Sequence, residues 1–229
     1  MTWAAQVNGN FDLYARTWTN GKWSAVERLT DDPQPDFLHV MAADSEGNLY
    51  LCWQSFRTGD SNIYLKVHDG KVWSKDIAIT THEAGDWQPA IALDRGGRLH
   101  IVYDTYRHGD YDVFLRIYDH GQLSPEIPIA STDKFEGRAT VACDAAGRAW
   151  IAWDEQGSGW GLDRPLWNRE STSGDWGPAP VWNLGDGVSS RASIRFSQRI
   201  GVAVYQNGTL WTPKGRLDDA LPAEMAKSF

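Results

Sequence analysis

One stretch of this sequence is written twice. Leu51 to Ser74 reads LCWQSFRTGDSNIYLKVHDGKVWS, and Ile101 to Ser124 reads IVYDTYRHGDYDVFLRIYDHGQLS. The two align without a gap: Trp53 with Tyr103, Arg57 with Arg107, Gly59-Asp60 with Gly109-Asp110, and Tyr64 with Phe114. Asp44, Asp94 and Asp144 keep the same spacing in DSEGNLY, DRGGRLH and DAAGRAW, and Trp3 precedes Trp53, Tyr103 and Trp153 in register. A fixed period in this range marks a repeat architecture, in which each unit leaves an apolar face that only a neighbouring unit can bury.

Each unit reads as four strands. In the clearest one, QPAIAL (88–93) is a short apolar run, and Asp94-Arg-Gly-Gly breaks it with turn residues. RLHIVYD (98–104) alternates through Leu99, Ile101 and Tyr103, Tyr111–Tyr118 alternates through Val113, Leu115 and Ile117, and Leu123–Ile129 makes a weaker fourth strand. Period-2 apolar patterns bounded by Gly and Asp read as strands. Four consecutive antiparallel strands, here lettered A to D from the inside outward, form a twisted sheet, and stacking such sheets radially gives a β-propeller.

The expected fold is therefore all-β, a propeller of four or five four-stranded blades or an arc of a larger one. Its single domain covers 1–212. The units are 1–30 (partial, lacking strand A), 36–80, 86–130, 136–182 and a degenerate 188–212, in which Ala192–Phe196 and Ile200–Tyr205 read as strands A and B. Residues 213–229 form a tail, with helix formers between Asp218 and Lys227.

Composition narrows the function. The net charge of -8 argues against a nucleic-acid partner, whose phosphates it would repel. No run of 18 apolar residues suggests membrane insertion. The two cysteines, Cys52 and Cys143, sit at non-equivalent repeat positions in apolar patterns and read as buried free thiols. Neither a CxxC nor a Cys/His cluster is present, so no cofactor and no metal are expected. The 13 tryptophans suit packed sheets and sugar-binding surfaces equally, because indole joins a large apolar area to one polar handle. MTWAAQVNGNFD lacks a basic region followed by an apolar one, so no signal peptide is visible.

The D-x-x-G-x-[LA]-[YHW] segments at Asp44, Asp94 and Asp144, the G-[DN]-x-[DN]-h-[YF] segments at Gly9, Gly59 and Gly109, and the NGKWS and DGKVWS turns at Asn20 and Asp69 resemble the BNR/sialidase-like propellers of bacteria. Their order, with WQSFRTGDSNIYL and WDEQGSGWGLD, is also similar to the propeller region found ahead of PHP-like metal-dependent hydrolase domains. The resemblance implies a propeller scaffold, and an extracytoplasmic location if Met1 is not the natural start. Two departures stand out. The turn at Asp69 has a shorter spacing than a sialidase Asp-box and no Ser two residues before the Asp, and the His/Asp clusters of a PHP-like centre are absent.

Antiparallel strands put alternate turns at opposite ends of a blade. The A–B and C–D turns repeat in every unit, which points to turn geometry, with Asp44, Asp94 and Asp144 bonding their own backbone. The paired residues Asn10/Asp12, Asp60/Asn62 and Asp110/Asp112 also repeat and read as loop braces. The B–C and D–A loops diverge, and they hold the candidate ligand-binding residues Gln54, Arg57, Trp87, Asp104, Arg107, Arg138, Asp154, Trp160 and Arg191. Aromatic rings stack on sugar C–H faces, while carboxylates and guanidinium groups hold hydroxyls. For Arg57 and Arg107 the competing role is bracing adjacent blades through salt bridges.

The leading expectation is a non-catalytic module that binds a glycan or a protein partner through this end, as an accessory region of a larger bacterial hydrolase. An incomplete propeller would also associate into oligomers. The alternative is a sialidase-like glycoside hydrolase with Asp104, Asp154 and Glu155 as its carboxylates. A third reading is purely architectural support for an enzyme domain.

Overall fold

The computed structural model describes residues 1–156, 200–206 and 209–211. The expected tail helix, Trp160 and Arg191 lie outside the described residues. Among the described residues every regular element is a strand, and all pairings with a register are antiparallel. No helix among them is long and apolar enough to cross a membrane. The chain divides into two compact units, Met1–Pro89 and Ala90–Phe229.

In the first unit, β1 (Thr2–Val7) and β2 (Asn10–Ala15) form a hairpin joined on β2 by β5 (Glu27–Arg28), while β3 (Trp18–Thr19) and β4 (Lys22–Trp23) form a separate two-stranded ribbon. A four-stranded meander follows: β6 (Asp36–Ala43), β7 (Leu49–Ser55), β8 (Asn62–His68) and β9 (Ile77–Ala78). Its face carries Leu51, Trp53 and Tyr64, which pack with Leu13, Ala15 and Leu29 of the first sheet. Trp53 is fully buried, and its Nε1–H donates to Asp36 Oδ1 at 2.9 Å, so the indole's one polar atom is satisfied inside the core.

The second unit begins within β10 (Asp86–Leu93), which heads the sheet β10-β11-β12-β13, with β11 at Leu99–Thr105, β12 at Asp112–Asp119 and β13 at Gln122–Leu123. The expected fourth strand is two pieces: β13 ends at Leu123, and β14 (Ile127–Ala130) rejoins β12 beyond Pro125. The next sheet is β15 (Phe135–Cys143), β16 (Ala149–Gln156), β17 (Ile200–Gln206) and β18 (Thr209–Trp211). Val102, Val113, Leu115 and Ile129 pack with Val141, Ile151 and Trp153 to make this unit's core.

One strand assignment is corrected. Ile200–Tyr205 was expected to be strand B of a fading fifth unit. It is instead the third strand of the fourth sheet, pairing with β16 from Ala149↔Tyr205 to Asp154↔Ile200. Alternation in IGVAVYQ fixes a two-faced strand but not its neighbour, so the sequence pattern was satisfied either way.

The repeated turns are built as their residues require. Asp44 Oδ1 accepts from the backbone N–H groups of Glu46 and Asn48 at 2.9 Å each, Asp94 Oδ1 from Gly96 and Arg98, and Asp144 Oδ1 from Ala146 and Arg148. Gly47, Gly97 and Gly147 follow with φ of 90°, 80° and 76°, a left-handed turn that glycine adopts without steric penalty. Burial pushes the Asp144 carboxyl up, but the bonds from Trp150 and Arg148 outweigh it and leave the group below its ordinary range. Both cysteines are free. Burial raises both thiols, that of Cys143 to about 12, which leaves them protonated and inert.

Trp53→Ala is expected to lose about 3–5 kcal/mol of stability from the cavity and the lost Nε1–H bond to Asp36. Trp23→Ala, at a side chain 45% exposed, is expected to change stability by less than about 1 kcal/mol. Urea denaturation followed by circular dichroism measures both, and equal effects would contradict the assigned core.

Candidate functional site

The divergent end of the sheets begins with a backbone device that repeats at the period of the sequence. The innermost strands β6 and β15 each carry a bulge near their start, between Phe37 and Val40 and between Gly137 and Thr140. Leu38, Gln88 and Arg138 take left-handed φ values of 49°, 49° and 54° at equivalent positions of β6, β10 and β15. Non-glycine residues reach this region at a cost of about 1–2 kcal/mol each, so something must hold them there.

The holding group is the side chain that ends the preceding strand B. Gln88 N donates to Gln54 Oε1 at 3.4 Å, and Arg138 N donates to Asp104 Oδ2 at 2.8 Å, with Ala139 N 3.4 Å from Oδ1. Gly137 allows the close approach, since a Cβ there would lie 3.3 Å from Asp104 Oδ2 and 3.0 Å from the Phe135 ring. Gln54 and Asp104 are thus clips between consecutive repeats, 1% and 2% exposed, although both read as candidate ligand-binding residues in the sequence. Burial drives the Asp104 carboxyl up to about 7, against the lowering effect of the Arg138 and Ala139 N–H groups and the Arg138 charge, with Asp154 pushing it further up. Asp154 is also buried and raised for the same reason, and Arg138 Nη1 donates to its Oδ2 at 3.2 Å. Glu155 lies in β16 opposite Glu136.

Arg57 and Arg107 brace chiefly within their own sheets, and Arg57 Nε also lies 4.0 Å from Asp32 Oδ2 in the segment between the first and second sheets. Arg57 donates to Asp36 and Asp76 of its own sheet, at 3.1 Å and 2.5 Å, and its guanidinium lies 4.2 Å from the Tyr64 ring centre. Arg107 reaches Glu126 at 2.5 Å and covers Phe114 at 4.8 Å, and the Tyr103 hydroxyl donates to the same Glu126 at 2.9 Å. Both therefore lock the B–C loop onto the outer strands of one sheet. The repeated brace pairs hold too: Asn62 Oδ1 accepts from Thr80 Oγ1, Arg28 donates to Asp12 at 2.7 Å, and His108 Nδ1 lies 2.5 Å from Asp112 Oδ2.

What remains open at this end is aromatic. In the first unit Phe11, Phe37, Phe56 and Trp87 form a continuous row, with ring centres 6.3, 5.8 and 5.7 Å apart. Phe11 is 39% exposed, and the other three are half-buried. Trp87 lies across Gly85, whose φ of +55° and missing side chain leave room for the indole: a Cβ there would lie 3.0 Å from Nε1. In the second unit Tyr106, Tyr111 and the buried Phe135 form a separate series with ring centres 5.1 and 5.4 Å apart, and the Arg138 guanidinium lies 5.8 Å from the Phe135 ring centre. Sequence reasoning named Trp87 but missed Phe11, Phe37 and Phe56. The signal was available, since all three sit at strand ends beside the B–C and D–A loops. No group of three or more His, Cys, Asp or Glu among the described residues has the geometry to hold a metal ion.

Antiparallel four-stranded sheets stacked face to face define the class: an all-β propeller. Its fold is shared with a solved thermostable family-43 glycoside hydrolase, at a TM-score of 0.51 and 13% identity over 94% of this chain and 70% of that one. Weaker likenesses are to an endo-arabinase from Bacteroides thetaiotaomicron VPI-5482 (TM-score 0.38, 18% identity, 66% of this chain and 68% of that one) and to a fucose lectin from Kordia zhangzhouensis in complex with methyl-fucoside (TM-score 0.40, 11% identity, 77% and 98%). No family model matches the sequence, and no curated protein matches it.

The clip predicts a pH dependence. Asp104 in the folded chain, at about 7, sits above the ordinary carboxyl value of about 4, so the folded state holds the proton longer than the unfolded one. Its contribution to stability is complete below about pH 4 and is lost as pH rises through about 7. Asp104→Asn keeps an acceptor for Arg138 N and should flatten the slope of thermal midpoint against pH across that window. An unchanged slope would show that Asp104 is ionised in the folded protein throughout.

Proposed function

We propose that this chain is a non-catalytic glycan-binding propeller module, with the B–C/D–A end as its binding surface. The observation that carries this reading is the row Phe11–Phe37–Phe56–Trp87, partly exposed on rigid strand ends in a fold shared with a family-43 glycoside hydrolase. Aromatic faces set by packed strands supply contact area to sugar C–H groups at low entropic cost. The polar part of the surface beside the row comes from Gln88, which is exposed, and the second unit has its own exposed Tyr106 and Arg138 at the same end of its sheets. In this reading Gln54, Arg57, Asp104 and Arg107 hold the loops in shape and touch the ligand little, while Trp87 contacts ligand on the first unit and Arg138 on the second. The sialidase-like turns belong to the scaffold.

One observation favours glycoside hydrolysis as a second reading. Asp104 and Asp154 are neighbouring buried carboxyls, both raised, with Asp104 near 7, as a general acid requires. Against it, Asp104 spends its oxygens on two backbone N–H groups at the place where Gln54, which cannot transfer a proton, does the same work.

A glycan array run beside a panel of chromogenic glycosides separates the two. The expected result is sugar binding without turnover, weakened about tenfold or more in Phe56→Ala and Trp87→Ala. Turnover abolished by Asp104→Asn or Asp154→Asn would establish the hydrolase instead, and silence in both assays would leave an architectural module.

A further inference from the structure

The opposite end of the first sheet carries a second candidate site, made visible by comparing the repeats. In the first three repeats a basic residue late in strand C reaches back to a serine carbonyl in the following segment. Arg16 Nε donates to Ser24 O at 2.8 Å, Lys66 Nζ to Ser74 O at 3.2 Å, and Arg116 Nη2 to Ser124 O at 2.6 Å. The same serines fix the hairpin, their Oγ atoms accepting from Thr17, Val67 and Ile117 N–H at 2.9–3.0 Å. In the second and third repeats the cation also meets a carboxylate two residues beyond the serine. Lys66 pairs with Asp76, and the Arg116 charge faces Glu126.

The first repeat breaks this rule. The equivalent of Asp76 and Glu126 is Val26, and the equivalent of Arg57 and Arg107 is Val7. The ion pair of the other units is replaced on both sides, and both valines are exposed, at 55% and 47%. Arg16 keeps its serine clasp but makes no ion pair among the described residues, and Glu27, paired with Ala15 across β5, does not reach it.

Beside this cation stand two open indoles. Trp18 and Trp23 face each other across the β3–β4 ribbon with ring centres 5.1 Å apart, and they are 56% and 45% exposed. At the equivalent positions the other units carry His68 with Trp73 and Tyr118 with Leu123, all half-buried. The Arg16 guanidinium lies 5.7 Å from the Trp23 ring centre, and Lys22 sits on the same ribbon. An acidic protein of net charge -8 thus presents a local cationic and aromatic patch whose internal counter-charge has been removed.

We propose that Arg16, Trp18 and Trp23 form a binding site for the carboxylated sugar of an acidic glycan, a hexuronate residue. The indole faces take the C–H surface of the pyranose ring. The Nη groups of Arg16, whose Nε is held by Ser24, take its carboxylate in the place that Asp76 and Glu126 fill in the second and third repeats. This site does not depend on the glycan reading of the opposite end, from which strand β2 separates it.

The test is calorimetric titration of the whole chain with tetragalacturonate, its methyl ester and a tetraglutamate peptide, in wild type, Arg16→Gln, Trp18→Ala and Trp87→Ala. The expected result is saturable binding of the tetragalacturonate that weakens with added salt, with at least about tenfold lower affinity for the methyl ester and in the first two variants, and none lost in Trp87→Ala. Thermal midpoints unchanged in Arg16→Gln establish that its loss is not unfolding. No binding, equal binding of acid and ester, or an effect confined to Trp87→Ala would overturn the proposal. Equal binding of the peptide would overturn the sugar as the ligand and assign the patch to acidic protein segments.

Discussion

No sheet in this molecule can bury both of its faces alone, and the burial of one sheet against the next is what every other feature serves. In the first unit that contact is Leu13, Ala15 and Leu29 against Leu51, Trp53 and Tyr64. In the second it is Val102, Val113 and Leu115 against Val141, Ile151 and Trp153. The same strand-B position, 53 and 153, supplies the largest side chain each time, so the period of the sequence is the period of the packing. Its indole needs a partner when buried, and Asp36 meets that need for Trp53.

The two ends of the sheets are governed by different physics. At the A–B end each turn is closed by its own aspartate and glycine, a local solution that works in any unit and is therefore written into all of them. At the other end the chain passes from one repeat to the next, and the solution is not local. A left-handed Leu, Gln or Arg kinks the start of the inner strand, and at Gln88 and Arg138 a side chain from the preceding repeat receives the N–H that the kink turns outward. Strain at that end is held by buried hydrogen bonds, which leaves the neighbouring aromatic rings on a firm base.

Departures from the repeat are more informative about function than the repeat itself. Gly137 stands where Phe37 and Trp87 stand in earlier units, while the aromatic moves to Phe135 and opens space for the Asp104 clip. Val7 and Val26 replace a charge pair together, and the cation beside them is released. Each change is conservative for folding, because the pairing partner changes with it, and each alters what the surface can meet.

The sequence by itself determined the all-β class, the four strands of a unit, the Asx-closed turns, the buried aromatics and the inert thiols, because each depends on contacts within one period or on simple alternation. It also located the divergent end, since loops that differ between repeats show as breaks in self-similarity. The tertiary structure decided the rest. Leu38, Gln88 and Arg138 carry no local sign of left-handed backbone, since neither glycine nor asparagine marks them, and a bond from another repeat holds the backbone of Gln88 and Arg138 there. Asp104 looks like a ligand-facing acid in sequence and becomes a buried clip in space. Arg57 and Arg107 turn inward to their own sheets, and Ile200–Tyr205 pairs across a long sequence separation with Ala149–Asp154. Alternation specifies which way a side chain faces, but not which strand lies beside it, and that choice is made only when the sheets pack.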